Sequence, residues 1–417
     1  MAKKIRPITT DVPNRRIWRI FAVITWLICG TMKLLNRGKV KKTTKLPKPP
    51  YLLLCTHASM MDFYMLVSAL KPRMPYWVST VEEFIDKDFL FRRLGVVAKR
   101  KFSNDPKNAM LMMDVLKNRK KIFIIFPEAR YSFVGIDERI DNSLGRFAKM
   151  ANVPIVYAQG HGDYLYDPQW GDHKTRKVHP ITLEIGTLVD RYDIETMSAE
   201  EIQQKLYDTF SNNEEEWQRK NNIKITYKNR AVGLHRILYK CPHCGTEFEM
   251  TSSGHTLKCN HCGIEYDYLE DGHLKCLNGE TKFDYPSKWY RWEKEEVKKE
   301  VESGKYHFED EVRVEKLVGV GVGFVPQEGK YTLTHSIENG FEIKGVDNDF
   351  EYHRSSLQSF AVHVEYNYHG RGACLDLATS KDTWFVYPLN KPLYLTKIHF
   401  AVECIYDHLK ANLKTGK

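Results

Sequence analysis

No run of this 417-residue sequence supplies the eighteen or so consecutive apolar residues that a membrane-crossing helix needs. The one stretch that could meet a bilayer, Ile20 to Met32, has thirteen residues. As a helix it would reach only about 20 Å, against a hydrocarbon core of about 30 Å. A small-residue cleavage site after Gly30 is also lacking, so the basic start is not read as a secretory signal. No Gly-x-Ser-x-Gly elbow occurs, which disfavours a serine-nucleophile hydrolase. Internal repeats and low-complexity tracts are missing too. A net positive balance is lacking over most of the chain, despite a formal net charge of +10. Residues 1–50 hold thirteen Lys or Arg against the single acid Asp11, while the other 367 residues carry 50 basic and 52 acidic groups. The charge that would suit nucleic acid is therefore confined to the segment that also holds the apolar stretch, and no nucleic-acid partner is expected.

That segment, residues 1–46, reads as a basic membrane-anchoring element. Trp18 and Trp26 accompany the apolar stretch, with Arg15, Arg16, Arg19, Lys33 and Arg37 around it. The pattern predicts a helix lying in the interface, its Trp at headgroup level and its cations on anionic lipid, each worth about 1 kcal/mol. The expected location is the cytoplasmic face of a membrane, with the protein peripheral or monotopic.

After the Pro-rich hinge Lys45 to Pro50, short apolar runs alternate with helix-length amphipathic ones through residues 47–225. Tyr51–Cys55, Met74–Val78, Val96–Val97, Ile122–Phe126 and Val153–Ala158 read as strands. Met61–Leu70, Val81–Phe91, a helix opened by Asp105-Pro106, Ser143–Met150 and a charge-rich Ala199–Lys220 read as helices. The alternation predicts an α/β domain, a mixed sheet flanked by helices. Residues 236–280 are chemically explicit. Cys241-Pro-His-Cys244 and Cys259-Asn-His-Cys262 are two knuckles, each followed by Gly. Four thiolates at this spacing predict a closed structural Zn2+ site in a small four-cysteine zinc ribbon. His243 and His261 read as turn residues. Residues 285–417 begin with a charged helix and continue as alternating strands to a final amphipathic helix. This β-rich C-terminal domain has the element order of a pleckstrin-homology-like barrel.

Two polar clusters sit just past apolar strands, where open α/β sheets place their chemistry. The first is Thr56-His57-Ala58-Ser59-Met60-Met61-Asp62, and the second is Phe126-Pro127-Glu128-Ala129-Arg130-Tyr131-Ser132. With Gly95 to Lys101 and Val153-Pro154-Ile155-Val156 they resemble the four blocks of the glycerolipid acyltransferase family, enzymes that acylate lysophosphatidic acid. The likeness covers roughly residues 15–225. It departs in the third block, where Ala129 replaces Gly, and Arg130 sits one place early with Tyr131 in its slot. The resemblance implies a glycerol-3-phosphate acyltransferase-like fold and an acyl-CoA or acyl-acyl carrier protein donor. It also implies a lysophosphatidic acid-like acceptor.

In such a reaction His57 is the expected base on the acceptor hydroxyl, and Asp62 fixes its tautomer and stabilises the imidazolium. The family role of Glu128 is to help bind the acceptor. Arg100, Lys101 and Arg130 are the candidate cations for its phosphate. An alternative reading from the altered third block is a catalytically weakened lipid-binding or regulatory module whose ribbon docks partners.

Overall fold

The computed structural model describes residues 6–10, 17–103, 105–172 and 174–415, so Arg15 and Arg16 of the basic segment lie outside the described residues. The chain divides into two compact units. The first comprises Met1–Lys99, Asp105–Gln169 and His173–Tyr227. The second comprises Arg100–Asn104, Trp170–Asp172 and Lys228–Lys417.

In the first unit the elements run α1 (Arg19–Leu35), β1 (Lys39–Lys42), β2 (Tyr51–Cys55), α2 (Met60–Leu70), β3 (Tyr76–Thr80), α3 (Phe84–Leu94), β4 (Val96–Lys99), α4 (Pro106–Met113), β5 (Ile122–Ile125), α5 (Leu144–Ala151), β6 (Ile155–His161), α6 (Asp163–Tyr166), β7 (Thr182–Val189), α7 (Arg191–Thr196), α8 (Ala199–Phe210) and α9 (Glu214–Lys220). The strands form one sheet in the order β1-β7-β6-β2-β5-β3-β4. β2 runs parallel to β5 and β6, and β3 to β5 and β4, while β7 turns antiparallel to β6. The mixed sheet follows from sequence. Every residue of β2 is buried, as a strand covered on both faces must be. Leu52 and Leu54, two residues apart and so on one face, share a core with Phe123, Leu116, Leu144, Ile202 and Phe210.

Two elements differ from expectation. Lys39–Lys42 is an edge strand pairing with Thr182–Ile185, where its mostly exposed lysines face water and discourage further pairing. The single helix expected over residues 199–220 is two, because Ser211, Asn212 and Asn213 favour caps over helix interior. The Asn213 side chain accepts from the Glu216 amide at 3.1 Å and starts α9.

The 17-residue α1 packs on α2 through an inward side that includes Ala22 and Cys29. Ile20, Val23, Ile24, Leu27, Ile28, Leu34 and Leu35 are exposed. Their spacing follows the three-to-four-residue period of one helix face. Among the described residues no helix is long and apolar enough to cross a membrane.

The second unit starts with a four-stranded antiparallel ribbon, β8 (Met250–Ser253), β9 (Thr256–Cys259), β10 (Glu265–Tyr268) and β11 (Leu274–Cys276), in sequential order. Helix α10 (Pro286–Glu302) follows, and its buried Trp289 donates from Nε1 to the Lys240 carbonyl at 2.9 Å, joining the ribbon to the rest. Eight strands then form an antiparallel sheet: β12 (Phe308–Gly319), β13 (Gly323–Pro326), β14 (Tyr331–Ser336), β15 (Gly340–Gly345), β16 (Glu351–Arg354), β17 (His363–Glu365), β18 (Cys374–Ala378) and β19 (Thr383–Pro388). Their order is β16-β15-β14-β12-β19-β18-β17, with β13 beside β12. The chain ends in α11 (Leu395–Thr415), which packs on α10.

Candidate active site

Because β2, β5 and β6 are parallel neighbours, the residues that follow them meet on one edge of the sheet. His57 lies two residues past β2. Ser59 caps α2, its hydroxyl accepting from the Met61 amide at 3.2 Å. Asp62, the third residue of the helix, reaches back in the manner of a capping box. Its Oδ2 accepts from the amides of Ala58 at 2.7 Å and Ser59 at 3.2 Å, and stands 3.1 Å from His57 Nδ1. The five-residue offset between His57 and Asp62 is therefore the geometry of a helix start. One buried oxygen both caps the helix and holds the imidazole. With an acceptor-only carboxylate opposite it, Nδ1 carries the ring proton, which makes Nε2 the basic nitrogen.

The imidazole is flanked by two rings. Phe126 stacks on it at 4.0 Å between ring centroids, and Tyr131 leans on it at 4.3 Å. Its side chain keeps 20% exposure, while that of Asp62 has none. Burial pushes the Asp62 carboxyl up to about 6, against the pull of the neighbouring Asp163 carboxyl and the Ala58 and Ser59 amides. It is thus mainly an anion at neutral pH.

The third block closes the floor. Glu128 is buried, with Oε2 accepting from the His57 amide at 3.3 Å and Oε1 from the Glu138 amide at 3.5 Å. Burial, then the nearby Glu138 carboxylate, raises its carboxyl to about 8. Ser132 donates its amide to the His57 carbonyl at 2.9 Å and its hydroxyl to the Ile136 carbonyl at 2.7 Å. Arg130 is buried with its guanidinium on Glu138 Oε2, at 2.9 Å from Nη2 and 3.2 Å from Nε. Ala129 takes the position that the family gives to Gly, with a left-handed φ of 56°.

The family described as Acyltransferase matches residues 37–157, which span β1 to the first half of β6 and include both blocks. Residues 37–157 thus form an Acyltransferase-type domain. The crystal structure of the 1-acyl-sn-glycerophosphate (LPA) acyltransferase, PlsC, from Thermotoga maritima is similar at 16% identity and a TM-score of 0.37, over 45% of this chain and 76% of that one. Among curated proteins, none matches.

Of the residues singled out from sequence, the acyltransferase domain gathers His57, Asp62, Glu128 and Arg130. Arg100 and Lys101 belong to the second unit. There Arg100 Nη1 donates to the Ser380 carbonyl at 3.3 Å, and Lys101 Nζ stands 3.9 Å from Glu365. They follow β4, the edge strand, which lies three strands and about 14 Å from β2. The second-block cation that stays in the acyltransferase unit is Lys99, whose ammonium burial disfavours. The aromatic cover of the His57 imidazole by Phe126 and Tyr131 lies outside what the sequence motifs indicate. Alternating ring positions around a turn carry no sequence signal of their own.

In the second unit the sulfurs of Cys241, Cys244, Cys259 and Cys262 all lie within 4.8 Å of one another. Cys241 and Cys262 are 3.7 Å apart, and Cys244 and Cys259 3.8 Å. A tetrahedral ion with bonds of about 2.3 Å to sulfur sets its ligands about 3.8 Å apart, so this donor set fits one. Both knuckles close alike. Gly245 and Gly263 take φ of 76° and 75° and donate to the carbonyls of Cys241 and Cys259, each at 2.9 Å. His243 points its Nε2 at the Tyr266 hydroxyl, 2.9 Å away.

Proposed function

We propose that this chain is a membrane-associated O-acyltransferase of phospholipid biosynthesis. It moves a fatty acyl group from a thioester, on coenzyme A or acyl carrier protein, to the hydroxyl of a lysophosphatidic acid-like acceptor, with residues 47–225 as the catalytic domain. The observation that carries this reading is the partly exposed His57 ring held by a buried Asp62 at the sheet edge, within an acyltransferase domain.

His57 Nε2 takes the acceptor's proton as its oxygen attacks the thioester carbonyl. Asp62 holds Nδ1–H and stabilises the imidazolium. The tetrahedral oxyanion then collapses, the carbon–sulfur bond breaks, and the departing thiolate takes the proton back from His57. An ester and a thiol result. The exposed apolar face of α1, with Arg19, Lys33 and Arg37 near it, supports docking on an anionic surface at the cytoplasmic face of a membrane. The four cysteines are assigned to a structural Zn2+, which would hold the ribbon's two knuckles together and take no part in acyl transfer.

The test is transfer of labelled palmitate from palmitoyl-CoA to lysophosphatidic acid in liposomes. His57→Ala is expected to lower kcat by roughly 10²–10⁴-fold. Equal rates in both proteins would remove His57 as the base. No turnover with a panel of lysophospholipids and both donor types would remove the acceptor assignment.

A further inference from the structure

The His57–Asp62 pair has a third carboxyl behind it. Asp62 Oδ2 is fully engaged by two amides and the imidazole, but Oδ1 is buried with no nitrogen or hydroxyl on it among the described residues. Both carboxyl oxygens of Asp163, the first residue of α6, are buried in the same condition. The two side chains meet at Gly160 of β6. A Cβ added there would collide with Asp163 Oδ2 and stand 3.1 Å from Asp62 Oδ1. Gly160 is held at that place by its amide, which donates to the Thr56 hydroxyl at 2.9 Å, one residue before His57. Two buried carboxyls that face each other at Gly160, with the Tyr164 amide as the one outside donor to Asp163 among the described residues, need a proton between them, since adjacent carboxylates cannot both ionise cheaply.

We infer that Asp163 is a positioning residue of the acyl-transfer site: held as the neutral acid, it donates a hydrogen bond to Asp62 Oδ1 and so keeps Asp62 the anion that grips His57. The role in turnover rests on the proposed reaction, whereas the shared proton does not.

The titratable groups around this pair agree with which partner keeps the proton. Asp62 has two amide donors and His57. Asp163 is raised well above the ordinary carboxylate range, by burial first and then by Asp62. His161, on the last position of β6, opposes this, as does the adjacent Tyr164 amide. His161 is itself engaged, with Nδ1 2.8 Å from Glu214 and its ring stacked on Trp217. Glu128 from the third block raises Asp62, and Cys55 at the end of β2 is a buried thiol held neutral. Asp163 is the one acid here that faces another acid and has no strong donor among the described residues.

The test compares Asp163→Ala and Asp163→Asn in the full chain. Without a donor on Oδ1, Asp62 takes up the proton itself. Asp163→Ala is therefore expected to move the acid limb of the pH–rate profile up by about a unit, which lowers kcat about two-fold at pH 7 and about nine-fold at pH 5. Asp163→Asn, which restores a donor, is expected to keep the limb within about 0.3 unit of its place and the rate at pH 5 within about two-fold of wild type. Both variants moving the limb down would mean that Asp163 is ionised, and would overturn the proposal. So would a fall in kcat with no movement of the limb, which is what a purely structural role produces. Infrared difference spectra between wild type and Asp163→Asn at pH 7 give a readout independent of substrate. Loss of one protonated-carboxyl band upholds the shared proton even if no acceptor turns over, and loss of a carboxylate band instead overturns it.

Discussion

Ala129 offers the sharpest test of the third block as a piece of folding. It sits in the left-handed region at a φ of 56°, where an L-residue with a Cβ carries a cost of roughly 1–2 kcal/mol. The turn imposes this, since the Ala129 amide donates to the Phe126 carbonyl at 3.1 Å while Glu128 and Arg130 on either side are buried. The Ala129 methyl is exposed, so its removal costs almost no packing. Against the relief stands the larger chain entropy that glycine loses on folding, about 0.5–1 kcal/mol. The difference predicts that Ala129→Gly stabilises the acyltransferase unit by about 0.5–1 kcal/mol, or about 1–4 °C for a unit of this size. The two units need not unfold together, so the change is best read from amides that open only with the first. The β2 and β5 strand amides, from Leu52 to Ile125, serve this purpose, with hydrogen exchange measured on the metal-loaded chain. Unchanged or lowered protection of those amides in Ala129→Gly would refute the assignment of strain to this turn.

Three further outcomes follow from the geometry. Glu128 is raised to about 8 in the folded state, so folding favours its proton. That contribution is fully present below the ordinary carboxylate range and is lost as pH rises through about 8. Local stability of β2 and β5, corrected for intrinsic exchange, should fall by a few kcal/mol at most between pH 5 and pH 8, and Glu128→Gln should flatten that slope; a rise with pH in the wild type contradicts the reading. A strong chelator, or Cys259→Ala, should unfold the ribbon and expose Trp289, detected as a red-shifted tryptophan emission and as one equivalent of zinc released to a colorimetric dye. The α1 face predicts that Ile24→Glu with Leu27→Glu weakens binding to vesicles containing phosphatidylserine at least 30-fold, because each buried aliphatic side chain contributes about 2 kcal/mol; equal sedimentation with vesicles would remove the docking role.

What was legible in the sequence was local. Tyr51–Cys55 could be read as a buried strand because five apolar residues bounded by a Pro-rich hinge and a His leave few other fates. The His57–Asp62 geometry could be read because a capping box is written within four residues. The two cysteine knuckles carry their own turns in the same way. What was not legible depended on topology. Asp163 is 101 positions from Asp62, and only the parallel pairing of β2 with β6 brings it there. The charge run Lys99-Arg100-Lys101 gives no hint that its first residue stays with the sheet while the next two partner Ser380 and Glu365. Lys39–Lys42 reads as a basic tail, because an edge strand exposes the residues that strand propensity penalises.

The departure in the third block bears on the acceptor rather than on the acyl-transfer pair. Exchanging the order of basic and neutral residues puts Arg130 into the buried floor, where two of its nitrogens already meet Glu138. A lipid phosphate could recruit that guanidinium only by displacing Glu138, which would leave a buried carboxylate without its cation. Tyr131, in the position so vacated, lies against the imidazole, as Phe126 does. A ring there limits the directions in which His57 can tilt while leaving its edge open, and so favours one approach for the hydroxyl. The exchange therefore sets an aromatic ring against His57 at the position where the family carries a cation. The His57 imidazole, its tautomer and the buried Asp62 carboxylate are untouched, because those are set by the start of α2. In the proposed reaction, acceptor selection would then fall to the wall that Tyr131 forms and to cations outside the third block.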